Sequence, residues 1–260
     1  IDRTSNDWNN EGMSSLTVTL GGEIHAPLLE TLNAVQLNLN GNGTLPIAQI
    51  KTLTGGAAVL SGASYAFPGL TDASGTAFTI SGNSLDLQNV VQFAGGGITV
   101  NGAAVDMRRA TNLEQASVTL SGGSINLDAA SSINGASFFV NAGALSLPSA
   151  RNYAHTNGNN NNTATFRANG STAELHLGNL ETVTGGDTID DQFVIEALSG
   201  GRINLGKVTD ILDPTTGDNR GRAIHVKAEG STSRIDLSSL KTFIDRTSND
   251  WNNEGMSSLT

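Results

Sequence analysis

The sequence predicts an all-β chain wound into a parallel β-solenoid, and three observations carry this prediction. A nine-residue apolar pattern recurs ten times, an alternating apolar and polar segment precedes each copy, and Gly-containing corners separate the two. From Tyr65 to Leu145 the copies are spaced by 20 residues. A unit of that length cannot bury its own apolar face, so successive units must stack to form a continuous core.

The apolar pattern occupies the first, third, sixth and ninth positions of each copy, as in "IDLSSLKTF" (235–243). All forty of these positions are apolar, although apolar residues make up 37% of the chain. The second position is polar in most copies, and apolar–polar–apolar is the signature of a strand with one buried face. The first positions of the ten copies are Ile24, Leu45, Tyr65, Leu85, Val105, Ile125, Leu145, Leu175, Ile203 and Ile235.

The segment before each copy predicts another strand, as at Phe78 and Ile80. Corners such as "SGN" and "SGG" suit a left-handed backbone, which Gly and Asn tolerate. One coil is therefore a strand, a Gly corner, a second strand and a turn. The crossover rule for parallel strands favours a right-handed β-helix. A leucine-rich repeat is the alternative, because "LPIAQIKTL" (45–53) resembles its strand, but the usual Asn turn motif of that repeat is missing.

Long polar insertions distinguish the last four coils from the six short ones. After Leu145 the spacing becomes 30, 28 and 32 residues, and 32 again if the chain continues from its last coil into its first. Insertions of this kind map to loops on one face of a solenoid. We call these segments the loop ridge, and we expect them at one corner, between the ninth motif position and the next strand. They are residues 155–162, 184–192, 212–222 and 245–255.

The chain ends in a copy of its own first segment. Residues 244–260 are identical to residues 1–17, so equivalent positions lie 243 residues apart. This repeat indicates one ten-coil unit over residues 1–243, followed by the start of a next unit or by an artificial overlap. An isolated solenoid needs polar caps, and none is apparent in the sequence. We therefore expect units that continue end to end, as in a tandem array or filament.

Composition excludes several functions. The net charge is −10 with no basic cluster, so nucleic acid and anionic membranes are poor partners. No stretch of 18 apolar residues predicts a membrane span, and the lack of Cys excludes disulfides and thiolate metal sites. Asp86 and Asp106 are placed to face each other on adjacent coils, and paired carboxylates can perform acid–base chemistry. A solvated strand face explains this pair more simply, and we expect no enzyme.

The loop ridge contains the candidate metal ligands. Oxygen ligands in flexible loops suit Ca²⁺, although no loop has the spacing of an EF-hand or of the nonapeptide calcium repeat. The alternative is that Arg220, Arg222 and Arg246 neutralise the acids. No other cofactor is expected. The Ca²⁺ candidates are Asp187, Asp190, Asp191, Asp213, Asp218, Asp245, Asp250 and Glu254.

Trp251 and its copy Trp8 are the contact candidates. Each unit has a single Trp, which lies in a loop of Asn, Asp and Ser. Exposed aromatic residues are enriched at interface cores, which predicts a lateral contact with a partner filament or a glycan. The alternative is that the ring folds back over its own loop.

The coil pattern and composition resemble those of the Cys-free, Gly/Asn/Ser/Thr-rich repeat regions of giant bacterial surface proteins, such as filamentous adhesins and autotransporter passengers. The resemblance covers nearly the whole chain and includes no diagnostic motif. It implies export to the cell surface or exterior, a rod-like solenoid and a role in adhesion or extracellular filaments. Two expectations follow: a structural fibre segment stacked end to end with further copies, or an adhesin-like module whose loop ridge binds a glycan, Ca²⁺ or another filament.

Overall fold

The structure is a computed structural model that describes residues 13–156, 158–247 and 256–260. These residues contain 24 strands and no helix. In chain order the strands are β1 (Ser14–Val18), β2 (Thr31–Asn33), β3 (Val35–Leu39), β4 (Thr52–Thr54), β5 (Ala57–Ser61), β6 (Tyr65–Ala66), β7 (Ala77–Ser81), β8 (Ser84–Asp86), β9 (Gly97–Asn101), β10 (Ala104–Asp106), β11 (Ser117–Ser121), β12 (Ser124–Asn126), β13 (Ser137–Ser146), β14 (Asn152–Ala154), β15 (Thr163–Asn169), β16 (Ala173–His176), β17 (Thr182–Thr184), β18 (Gln192–Leu198), β19 (Arg202–Asn204), β20 (Asp210–Leu212), β21 (Ala223–Glu229), β22 (Arg234–Asp236), β23 (Thr242–Ile244) and β24 (Ser258–Leu259).

The strands form three faces, and every pairing among the described residues is parallel. The first face is one sheet in the order β1-β3-β5-β7-β9-β11-β13-β15-β18-β21-β24, with one strand from each coil. On the second face, β6, β8, β10 and β12 pair in sequence, and the end of β13 continues through β16, β19 and β22. The third face consists of β2–β4 and β14-β17-β20-β23, with single bridges in between. This arrangement confirms the parallel β-solenoid.

The third face is a feature that the sequence pattern did not reveal, since a turn was expected there. The ninth motif residue is buried at this face. Where a strand forms here, it consists of that residue and its two neighbours, and it pairs with the same segment of the adjoining coils. Val183, for example, is the direct partner of Tyr153 and of Ile211. The alternation here is only three residues long, which is shorter than the four to eight residues that identify a strand.

The apolar columns of the motif form the core. Of the ten residues in each column, six, seven, eight and nine are buried at the first, third, sixth and ninth positions. The other ten are half-buried, and all of them lie in the first three coils or the last one. The core is therefore continuous through the middle and partly uncovered at the two ends.

One corner between the first and second faces is too tight for a side chain. Gly123 has φ of 82°, and a Cβ there would lie 2.0 Å from the carbonyl oxygen of Ala103. This corner thus demands Gly for both conformation and space, whereas at Gly82, with φ of 98°, a Cβ would lie in open space and only the conformation favours Gly.

The described insertions lie at one corner, as expected. They leave β14, β17 and β20 on the third face and enter β15, β18 and β21 on the first. The loops hydrogen-bond to one another: the Asp190 amide donates to the Arg220 carbonyl at 2.9 Å, and the Asn219 side-chain amide donates to the Arg246 carbonyl at 2.8 Å. The loop ridge is therefore stacked in the same direction as the strands.

Candidate functional site

Three of the predicted Ca²⁺ ligands lie in the loop between β17 and β18. Asp191 is fully buried, and its carboxylate accepts hydrogen bonds from the amide of Asn162 at 3.2 Å and from the amide and hydroxyl of Thr188 at 3.1 and 2.8 Å. Asp190 adopts a φ of 60° and borders a shallow groove beside the next loop. Asp187 has one buried carboxylate oxygen that accepts no hydrogen bond from the described part of the chain. Asp191 therefore organises its own loop.

In the next loop, Asp213 is paired with arginine. Asp213 and Arg222 are 2% and 1% exposed, and the guanidinium Nη2 lies 3.1 Å from the carboxylate. The amide of Arg246 donates to the same carboxylate oxygen at 3.1 Å. Burial raises the pKa of Asp213 even though Arg222 acts to lower it. Arg222 also donates to the Thr216 carbonyl at 2.8 Å, so this buried pair fixes the path of the loop.

Asp218 and Asp245 are bound by exposed donors. Arg220 donates from Nε to Asp218 at 2.9 Å and lowers its pKa to about 2. At Asp245, burial acts to raise the pKa, but the amides of Ser257 and Thr247, at 2.6 and 2.8 Å, lower it overall. The expectation that arginines neutralise the acids thus describes the geometry at Asp213 and Asp218.

The Ca²⁺ site and the Trp contact stay predictions. No three His, Asp or Glu residues within the described ranges lie close enough together to hold a metal ion. Asp250, Glu254, Trp8 and Trp251 lie outside the described residues.

Asp86 and Asp106, the acids considered for catalysis, are direct neighbours on the second face, as expected. Asp86 accepts a hydrogen bond from the Gln88 amide at 2.9 Å. Arg108 bonds Asp106, from Nε at 2.8 Å, and holds its pKa below the usual range. Both carboxylates are therefore tied to the turn that follows their own strand.

A cluster of charged side chains lies farther along the same face, in the last three coils, and sequence reasoning missed it. Its members border a groove of about 230 Å³ between β16, β19 and β22. The signal was present in the position before each motif copy, which is uncharged in the six coils from Thr44 to Ala144 and charged in the others. We call this cluster the charged face; it consists of Glu174, His176, Arg202, Asn204, Arg234 and Asp236.

Two of the three contacts between charged or imidazole groups of the charged face are longer than a hydrogen bond. The Glu174 carboxylate lies 3.2 Å from His176 Nε2 and 3.7 Å from Arg202 Nη1. Arg234 Nη2 lies 3.6 Å from Asp236. Arg202 and Arg234 are direct cross-strand neighbours of the same charge, and their side chains are 60% and 68% exposed. Both guanidinium groups therefore have room for a further anionic partner.

Among the described residues, the apolar core is only partly covered at the two ends of the solenoid. Ile24 and Leu29 at one end and Leu237 and Phe243 at the other are half-buried against the core. Among the described residues, β22 and β23 each pair with one strand only. On the first face, however, β24 pairs with β21 in parallel, and Leu259 is the partner of Val226.

No family model matches the chain, and comparisons with curated proteins and with solved structures find no significant match. The described residues include no helix that is long and apolar enough to cross a bilayer. The geometry of the ends, the loop ridge and the charged face is therefore the basis for a functional proposal.

Proposed function

We propose that the chain is a structural segment of an extracellular tandem-repeat fibre, in which solenoid units continue end to end and no catalysis takes place. The pairing of β24 is the observation that carries the proposal. Ser258 and Leu259 are the sequence equivalents of Ser15 and Leu16. The earlier copy pairs with β3 on one side, and the later copy pairs with β21 of the last coil. One segment thus fits both sides of a joint between units.

The partly covered core at the two ends of the described solenoid supports the same proposal. A solenoid that stops at β22 and β23 leaves the edges of two parallel strands and part of an apolar core in water. Leu237 and Phe243 occupy columns whose other members are mostly buried. A following unit would cover them and pair the free strand edges, and burial of apolar surface stabilises at about 25 cal/mol per Å².

The loop ridge supports a structural role as well. The carboxylates of Asp191, Asp213 and Asp218 accept hydrogen bonds from the protein's own groups. The Asn162 amide at Asp191 joins one loop to the next, whereas the Arg222 and Arg220 contacts lie within a single loop. The extracellular location follows from the resemblance in composition to bacterial surface repeats.

A two-unit chain, residues 1–243 followed by 1–260, tests the proposal by small-angle X-ray scattering. At about 4.8 Å per coil, ten coils extend roughly 48 Å and twenty roughly 96 Å. We expect the maximum dimension to increase by that difference over the single 260-residue chain, with an unchanged rod cross-section. A distance distribution with two separate maxima, as given by two bodies joined flexibly, would contradict the proposal.

A further inference from the structure

The charged face ends at the edge of the solenoid where the next unit would begin. Given the proposed fibre, on which this inference rests, we propose that two polar pairs, one of them an ion pair, hold the joint in register. Arg234 would face Glu23 of the following unit, and Asp236 would face His25 of that unit. The partner is therefore a second copy of this unit, recognised by complementary charges on the second face.

The register follows from the apolar columns. First-position residues are direct partners between successive coils: Leu175 pairs with Ile203, and Ile203 pairs with Ile235. Ile24 is the first-position residue of the first coil, and its amide already bonds the Thr44 carbonyl at 3.0 Å in this same arrangement. Placing Ile24 of a following unit on Ile235 brings its two neighbours opposite Arg234 and Asp236.

The charges on the two sides of this joint are complementary. Like charges directly opposite each other on neighbouring strands destabilise a sheet, and opposite charges stabilise it. Within the chain, Arg202 has an acid on one side, Glu174, and Arg234 on the other. Glu23 of a following unit would complete the column with an acid at each end.

The first coil presents the matching side chains in an accessible state. The side chains of Glu23 and His25 are 68% and 79% exposed, and Glu23 Oε1 lies 4.0 Å from His25 Nδ1. The chain uses cross-coil ion pairs elsewhere, since Arg167 bonds its direct partner Glu196 on the first face. The column before the motif is charged only in the first coil and the last three coils of the unit. A joint shifted by one coil would place Arg234 opposite an uncharged residue and is therefore disfavoured.

Amide hydrogen exchange in the two-unit chain tests the pairing. The second unit is ¹⁵N-labelled, so that its peptides differ in mass from the identical peptides of the first. In the unaltered chain we expect residues 20–27 of the second unit to be protected relative to the same residues of the first. Glu23→Lys in the second unit places Lys opposite Arg234 and should speed exchange there about fivefold, equivalent to about 1 kcal/mol.

The matched control is Glu23→Lys in the first unit, where no preceding coil exists, and it should leave exchange at the joint unchanged. Arg234→Glu in the first unit, combined with Glu23→Lys in the second, restores opposite charges and should return protection to its original level. The effect should shrink in 1 M NaCl, in which charges are screened within about 3 Å.

The outcomes separate the two proposals. If residues 20–27 of the second unit are as unprotected as those of the first, the fibre proposal fails. If they are protected but Glu23→Lys changes nothing, the units stack and the Arg234–Glu23 pair is wrong. A third outcome would also overturn the inference. If the single chain binds oligogalacturonate, loses this binding in Arg202→Gln and Arg234→Gln, and the same changes leave hydrogen exchange at the joint of the two-unit chain unaltered, the arginines bind an acidic glycan.

Discussion

Between residues 57 and 146 the coils repeat every 20 residues, whereas beyond Leu145 the repeat lengthens to between 28 and 32 residues. Among the described residues, the regular coils contain one ion pair of Arg or Lys with a carboxylate, Arg108 with Asp106. The looped coils contain six such pairs, and in addition His176 contacts Glu174. In the regular coils each residue stacks on its equivalent, and the backbone bonds repeat. The looped coils differ in length, so side chains must supply contacts that the repeat no longer provides.

The transition between the two regions is marked by large rings. Tyr153 stacks on Phe193 with centroids 4.6 Å apart and packs edge-on against Phe166 at 4.7 Å. Its hydroxyl donates to the Ala136 carbonyl at 3.1 Å, and burial raises its pKa well above the usual value. Aromatic rings thus fill the core where the insertions begin, and the apolar columns continue through this region.

The largest effect expected from this comparison is at the buried ion pair. Arg222→Met leaves the Asp213 carboxylate buried without its charge partner, and breaking a buried pair costs about 3–5 kcal/mol. Arg220→Met is the matched control, because it removes an exposed pair, worth about 0–1 kcal/mol in general. Urea unfolding followed by circular dichroism measures both.

The pH dependence of the Arg222→Met variant provides a second check. The folded-state pKa of Asp213 is already raised, so the folded state binds the proton more tightly than the unfolded state, and loss of Arg222 raises this pKa further. As the pH falls through that pKa, the Asp213 carboxylate becomes protonated in the folded state, and its burial then lowers the free energy of unfolding by less. Part of the lost stability should return as the pH is lowered from 7 towards 5. Equal losses in both Met variants would show that the looped coils do not depend on the buried pair.

A corner of the regular coils should show the next largest effect. Gly123→Ala introduces a Cβ 2.0 Å from the Ala103 carbonyl oxygen at a positive φ. Overpacking of about 1–3 kcal/mol adds to backbone strain of about 1–2 kcal/mol, so we expect a loss of about 3 kcal/mol. Gly82→Ala, with φ of 98° and open space around the Cβ, should lose only the strain. The same unfolding assay compares the two variants. Equal losses of stability would mean that the clash with the neighbouring coil at Gly123 costs nothing beyond the backbone strain.

The sequence predicted what repetition makes visible. Forty apolar positions in fixed columns, together with corners such as Gly123, were enough for the solenoid, its parallel stacking and the side on which the loops lie. The third face was not predicted, because the alternation of apolar and polar residues there, as around Val183, is too short to identify a strand. The charged face was missed because Glu174, Arg202 and Arg234 come from segments about 30 residues apart, and the column that they share, directly before each motif copy, is uncharged in the six coils from Thr44 to Ala144.

The smallest expected effect concerns a short Asp-x-Arg motif that occurs once in the regular coils and once in the looped coils. In "DMR" (106–108) and "DNR" (218–220) the Arg amide and Nε both donate to the Asp carboxylate two residues earlier. Both Asp pKa values are lowered, that of Asp218 to about 2, with the Arg side-chain hydrogen bond as the largest cause. A lowered folded-state pKa gives stability that is present above the unfolded value near 4 and is lost as the pH falls towards 2.

Carbon-detected NMR titration of the two carboxyl groups, with Asp106→Asn and Asp218→Asn to assign them, measures this directly. We expect both to titrate below 3.8 and to move upward in 1 M NaCl, because screening weakens an exposed pair. If Asp106 titrates low and Asp218 titrates near its ordinary value, the loop does not hold Arg220 as a regular turn holds Arg108. The looped coils would then differ from the regular ones in local order as well as in the contacts between coils.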